Sequence, residues 1–156
     1  MATIFKLVTL PDARLRQKSE LIPESRIHEP TFVRYLDNLI ATMWHADGIG
    51  IASVQIGEMI RAVVITRGDE PIVLINPEIS YRSLRRQSSE EGCLSVPGFF
   101  GPVRRNYRVR VRALDRKGAP IMLDASGLLA RIIQHEVDHT NGILFVDRTR
   151  KVYATN

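Results

Sequence analysis

Residues Gln134–His139 read QHEVDH, which sets His135 and His139 four residues apart with Glu136 directly after the first. On a helix, residues four apart lie one above the other on the same face, so two imidazoles in this register can hold one metal ion. Glu136 falls at the shoulder of that face, where it can take a proton from a metal-bound water. The chemistry this describes is hydrolysis by an activated water. The bland alternative is a solvated polar helix on which histidines and a glutamate meet by accident. One further reactive group stands far upstream: Cys93, the only cysteine. A lone thiol excludes an internal disulfide and most often packs as a small hydrophobe.

The elements around QHEVDH point to a helix. Asp124 and Ser126 are candidate N-caps, Leu128, Leu129, Ile132 and Ile133 recur at helical spacing, and Asn141-Gly142 supplies a C-terminal stop. Leu128, Ile132, His135 and His139 fall along one line, greasy at one end and metal-binding at the other. Its metal end is expected to face inward, where an ion would satisfy otherwise costly buried polar groups. A second amphipathic helix is predicted over Thr31–Trp44, with Phe32, Val33, Leu36, Leu39, Ile40, Met43 and Trp44 on its core side. His45 closes it, and His28 reads as solvated surface.

Strands are predicted at 3–8, Arg61–Thr66, Ile72–Ile75, Tyr107–Leu114 and Ala119–Leu123, with turns at Arg67-Gly68-Asp69 and Asp115–Gly118. Over Tyr107–Leu114, Arg108, Arg110 and Arg112 alternate with Val109, Val111 and Ala113, as in a half-exposed strand. Ser80–Ser89, with Arg82, Arg85 and Arg86, reads as an exposed polar loop. The stretch from Arg148 to Asn156 reads as a short polar end. Between helix and strand lies DGIGIASVQIG, Asp47 to Gly57. It lacks the phosphate-loop pattern, so Gly48 and Gly50 suggest close approach of another backbone, with Gln55 as a polar tooth. Two long helices with hairpin-type strands make an α+β domain.

The 156 residues suffice for one domain with a core, and 44% hydrophobic with 25% charged residues is the balance of a soluble globular protein. No apolar run is long enough to span a bilayer, and the first residues lack the pattern of a secretory signal. A cytoplasmic protein with no membrane partner is expected. The net charge of +5 suits work near polyanions without requiring it.

Three separated motifs, GIGIASVQIG (Gly48–Gly57), EGCLS (Glu91–Ser95) and QHEVDH, resemble the three signatures of peptide deformylases, in that family's order and with similar gaps. LPDARLR, LINPE and ALDRKG are similar as well, so the resemblance covers roughly residues 3 to 148. It implies one catalytic domain over 1–156, with antiparallel sheets packed around a central helix that carries the HExxH motif. It implies removal of the formyl group from N-formyl-methionyl peptides. By resemblance, Cys93, His135 and His139 bind a divalent metal, Fe(II) as the native ion, with Zn(II), Ni(II) and Co(II) as alternatives. Glu136 is the acid/base, and Gln55 and the Leu94 amide hold the formyl oxygen. The Gly48–Gly50 wall and Gly92 lie along the substrate, with the backbones of Ile49 and Gly92 pairing with it. Leu128 and Ile132, with Ile49, line the methionine pocket, and Glu91 and Arg105 form a supporting ion pair.

Departures from the family pattern are Ser53 where alanine is usual, expected to set a hydroxyl beside the site, and Thr140 where leucine is common. Some bacterial members carry a basic helix after the third motif that docks on the ribosome. Here Arg148, Arg150 and Lys151 stand in its place, so a transient ribosome contact by that route has little to rest on, and no specific nucleic acid is expected as a partner. Two other readings compete. An HExxH peptidase usually takes a third ligand downstream, and the only later carboxylate is Asp147. A basic binding module with a structural metal needs four protein ligands, and three are identifiable.

Overall fold

The computed structural model describes residues 1–155. Its α-helices are α1 (Glu24–Ile27), α2 (Pro30–His45) and α3 (Gly127–Thr140). Its strands are β1 (Gly50–Ala52), β2 (Ala62–Arg67), β3 (Glu70–Arg82), β4 (Arg86–Cys93), β5 (Val96–Asn106), β6 (Arg108–Leu114), β7 (Pro120–Ser126) and β8 (Tyr153–Ala154). One sheet runs β1-β2-β3-β6-β7 and the other β4-β5-β8, antiparallel throughout. The fold is α+β, and no helix is long and apolar enough to cross a membrane.

The larger sheet has a helix on each face, and β2 shows why its sequence is apolar on both sides. Val63 and Ile65 pack with Ile132, Ile133 and Val137 of α3, whereas Ala62 and Val64 pack with Phe32, Leu36 and Leu39 of α2. A strand covered on both faces has no polar alternation to display. On β6, Val109, Val111 and Ala113 are buried while Arg108, Arg110 and Arg112 stay exposed, giving the predicted alternation. Helix α2 opens on Pro30, whose fixed φ suits a first helical turn. Phe32, Leu36, Leu39 and Met43 are buried, but Val33 and Trp44 are exposed, so the core stripe is narrower than its periodicity suggests.

Neither expected cap starts α3. Ser126 occupies the N-cap position without a side-chain cap bond, and the Asp124 carboxylate is held by Arg110. The corner between β7 and α3 is made by Gly127 at φ +60°. The other end follows the expected stop. The Gly142 amide donates to the His139 carbonyl and the Ile143 amide to the Asp138 carbonyl, around Gly142 at φ +73°.

Several elements differ from expectation. Residues 3–8 form no strand: the amides of Thr3 and Phe5 donate to side chains of α2, Asn38 and Thr42, in place of a ladder. The polar segment after Asp12 is a 3-10 turn, Ala13–Arg16, with Leu15 fully buried. Most of Ser80–Ser89 belongs to β3 and β4, and Arg104 and Arg105 lie in β5. The outer stretch of β4, from Arg86 to Glu90, is exposed on both faces and so carries no hydrophobic alternation. Near the C-terminus, Tyr153 and Ala154 pair with Phe100 and Phe99 of β5, and Asn156 lies outside the described residues.

Leu74 is fully buried where β3 meets α3. Leu74→Ala is expected to lower unfolding stability by about 2–5 kcal/mol, measured by urea denaturation. A loss under about 0.5 kcal/mol would show that this packing contributes little.

Candidate active site

Helix α3 brings one edge of its surface against the end of β4. A register shift between Gly92 and Cys93 re-aims the chain there and turns the thiol towards the helix. Cys93 Sγ lies 3.3 Å from His139 Nε2. The rings of His135 and His139 are 5.0 Å apart, and Cys93, His135 and His139 each offer a donor atom within 4.8 Å of the others. One thiolate and two imidazoles at this separation fit a single divalent ion of the first transition row.

The surroundings fix the donors. His135 Nδ1 lies 2.8 Å from Glu91 Oε1, which leaves Nε2 for an ion. Glu91 also accepts from Arg105 Nε and Nη2, both at 2.9 Å, and from Arg131 Nη1 at 2.6 Å. Burial alone would raise the Glu91 carboxyl, but hydrogen bonds from His135 and Arg105 overcome it and bring it down to about 2. Arg105 Nη1 reaches Asp138 at 2.6 Å, and Arg148 closes on the same carboxylate. Burial and the nearby positive charge of His135 hold His139 well below the usual imidazole range, so its ring is neutral and free to ligate.

A cavity of about 410 Å³ opens in front of this centre. Cys93, His135 and Glu136 form its floor, with Gln55 and Leu94 beside them. Gly48, Ile49 and Gly50 form one wall, and Glu91 and Gly92 the other. Ile132 is buried in the lining, whereas Leu128 is 66% exposed, so the apolar end of the helical line reaches the rim and not the core. His139 and Arg105 sit behind the lining, buried.

Gln55 has a fixed orientation. Its Oε1 accepts from the Ala52 amide at 2.9 Å, which sends Nε2 towards Cys93 Sγ (3.5 Å) and Ser95 Oγ (3.2 Å). Glu136 is buried, and its Oε2 has no partner among the described residues. Burial, reinforced by the charge of Glu91 against the opposing pull of His135, raises its carboxyl to about 7. A buried acceptor with nothing bonded to it suits a group that exchanges protons with water or substrate.

The glycines act by space. Neither Gly48 nor Gly50 has a left-handed backbone. A Cβ on Gly50 would stand 2.6 Å from Glu136 Oε1, and one on Gly92 would stand 2.6 Å from the Phe100 ring. At Gly50 and Gly92 side chains make the close approach, whereas at Gly48 a Cβ would meet the Leu94 side chain at 2.9 Å and the Met43 carbonyl oxygen at 3.3 Å. The Ile49 carbonyl accepts both the amide and the hydroxyl of Thr66, so its remaining polar group towards the cavity side is its N–H. Ser53 is turned away from the site. It accepts from Tyr35 Oη at 2.7 Å and donates to the Ala62 carbonyl at 3.0 Å.

Arg131, Gln134 and Asp138 were not singled out from the sequence. Arg131 also donates to the carbonyls of Val103 and Gln87, and Gln134 bonds both the amide and carbonyl of Asn106. These three recur at helical spacing one step round from His135 and His139, and that polar stripe was the available signal. Asp147, the candidate third ligand of a peptidase, is held by Arg16 and the Leu144 amide.

Residues 4–154 match the model of the polypeptide deformylase family. A peptide deformylase of Mesorhizobium japonicum is 44% identical over 151 residues, covering 94% of this chain and 84% of its own. One of Desulfitobacterium hafniense is 41% identical, covering 95% and 96%. Among solved structures, a peptide deformylase from Synechococcus elongatus in complex with actinonin superposes with a TM-score of 0.89 at 42% identity, covering 94% of this chain and 79% of that one. One from Acinetobacter baumannii with Met-Ala-Ser bound superposes at 0.93 and 31% identity, covering 96% and 100%.

Arg105→Met leaves Glu91 and Asp138 each short of a cation and is expected to cost about 3–5 kcal/mol. Arg131→Met removes one bond of several on Glu91 and is expected to cost about 1–3 kcal/mol. Urea denaturation of both variants measures the difference, and the reverse ranking would show that Arg105 does not anchor the cluster.

Proposed function

The chain belongs to the polypeptide deformylase family and removes the N-formyl group from newly made peptides, and from that membership we propose how its own residues divide the work. Residues 1–156 act as one catalytic domain. Its specific substrate is the formylated N-terminal methionine, and formate is the product. Cys93, His135 and His139 hold one divalent ion, Fe(II) in its native state. That ion, when bound, lowers the pKa of a water and polarises the formyl carbonyl.

Glu136 accepts the water's proton as oxygen adds to the formyl carbon. It then delivers that proton to the departing nitrogen. Its buried, unpartnered oxygen and raised pKa support this role. Gln55 Nε2 and the Leu94 amide donate to the oxygen that becomes negative. The lock of Gln55 Oε1 on the Ala52 amide keeps the donor pointed at the site before substrate arrives.

Recognition follows from the two walls. Gly50 opens β1, at the edge of the larger sheet, and Gly92 lies in β4, at the edge of the smaller one. An extended peptide laid between them pairs with the Ile49 N–H on one side and Gly92 on the other, without reading sequence. Ile49, Leu128 and Ile132 offer the apolar surface for the methionine side chain. That the Acinetobacter relative was solved with Met-Ala-Ser bound supports a peptide that begins with methionine as the ligand class. A formyl carbon bears only hydrogen, so a tight centre admits it and rejects acetyl by volume.

The observation that carries the reading is the convergence of one thiol and two imidazoles beside an unpartnered buried carboxylate. Protein purified without oxygen is expected to contain Fe(II) and to release formate from formyl-Met-Ala-Ser. Chelator removes both metal and activity, and zinc as the dominant metal would refute the Fe(II) assignment. Glu136→Ala is expected to keep its metal and lose about 10²–10⁴ in rate; an unchanged rate would sink the assignment of the proton carrier. Gly50→Ala displaces the Glu136 carboxylate, so its loss is expected in kcat with metal content preserved. A change in KM alone would show that Gly50 serves binding only.

A further inference from the structure

We propose that an arginine-lined cleft, on a different face of α3 from the catalytic cavity, binds the phosphate backbone of a nucleic acid independently of its base sequence. The charge distribution points there first. Arg82–Arg112 contains eight arginines and two glutamates, an excess of six positive charges, while the whole chain carries +5. The rest of the protein therefore nets slightly negative, and the basic character is concentrated on β4, β5, β6 and the end of β3.

The cleft consists of two adjoining hollows that share Arg82 and Ile79. The smaller, about 50 Å³, is lined by Arg82, Arg86 and Arg104 beside the Arg105–Asp138 pair. The larger, about 440 Å³, adds Lys18 and Arg61. Arg82, Arg86 and Arg104 are exposed and form no ion pair among the described residues. Arg86 donates to the Arg104 carbonyl, which brings the bases of these two side chains together. Asp138 cannot neutralise the group, because Arg105 and Arg148 already occupy it.

The larger hollow has a second mark of a ligand. Ser19 lines it, is 5% exposed, and its hydroxyl has no partner among the described residues. Arg61 beside it donates to the carbonyls of Ser19 and Thr140 and to the Asn141 side chain; Glu78 also lines this hollow and acts on Arg61 through its charge, but the two form no ion pair among the described residues. Guanidinium groups that no carboxylate pairs, Arg61, Arg82, Arg86 and Arg104, match phosphate oxygens. Two such hollows joined through one arginine suit a chain of phosphates better than a single small anion. Cations set around two hollows suit a strand better than a flat anionic membrane.

The test is fluorescence anisotropy of a labelled oligouridylate with the metal-loaded enzyme over a range of salt. Binding is expected at low salt, with log K falling linearly against log salt. The triple variant Arg82→Glu, Arg86→Glu, Arg104→Glu is expected to bind about tenfold or more weakly, with the salt slope reduced by about one per arginine. Its formate release from a short formyl peptide stays unchanged, which shows that it folds. A milder triple variant to Gln gives an intermediate loss. A charge-matched control on other faces, Arg14→Glu, Arg67→Glu, Arg116→Glu, is expected to keep most of the binding. The proposal fails if wild type does not bind at low salt, or if the control loses as much as the cleft variant. It also fails if polyglutamate or phosphatidylglycerol vesicles bind as tightly as the oligouridylate.

Discussion

The buried carboxylate of Glu91 is the point on which the rest of the site depends. Two arginines and one imidazole converge on it, and it joins three elements that are distant in the chain. Arg105 comes from β5, Arg131 and His135 from α3, and Glu91 itself from β4, two residues before the Cys93 thiol. A charge buried this deeply is tolerable only when it is paired and fully hydrogen-bonded. The same bonds that satisfy it set the distance between the Cys93 strand and the His135–His139 helix. They also occupy Nδ1 of His135 and leave Nε2 as the nitrogen free to ligate. Structural and chemical requirements are met by one set of contacts.

Helix α3 can serve this centre because its faces have separate tasks. Ile132, Ile133 and Val137 anchor it to the larger sheet through apolar packing. Arg131, Gln134 and Asp138 tie it to the β4–β5 ribbon through polar bonds. His135, Glu136 and His139 lie on the remaining arc between sheet and ribbon. The helix is held on both sides, so these three side chains have little freedom to drift, the condition under which a preorganised centre can act. The cavity opens where the two sheets present edge strands to each other. A substrate backbone can be recognised there by pairing alone.

Small residues matter here for what they leave room for. Gly50 lets the Glu136 carboxylate lie against β1, and Gly92 lets the Phe100 ring fold over β4. Ser53, which departs from the family pattern, illustrates the converse. Its hydroxyl is absorbed by Tyr35 and the Ala62 carbonyl on the α2 side of the sheet, so the chemistry does not meet it.

Much was legible in the chain because it is local. The four-residue spacing of His135 and His139, the stop at Asn141-Gly142 and the alternation over β6 depend on backbone geometry that neighbouring residues dictate. The motif resemblance then named Cys93, Gln55, Glu91 and Arg105 as partners. What composition and period could not show were contacts between distant segments: Arg131 buried on Glu91, Trp44 left outside the core, and β4 paired as a ribbon although it alternates in nothing. The sequence by itself determined which faces and donors each element could offer. Only the tertiary structure decided which of them meet, because burial and charge pairing belong to the assembled neighbourhood and not to any stretch of chain.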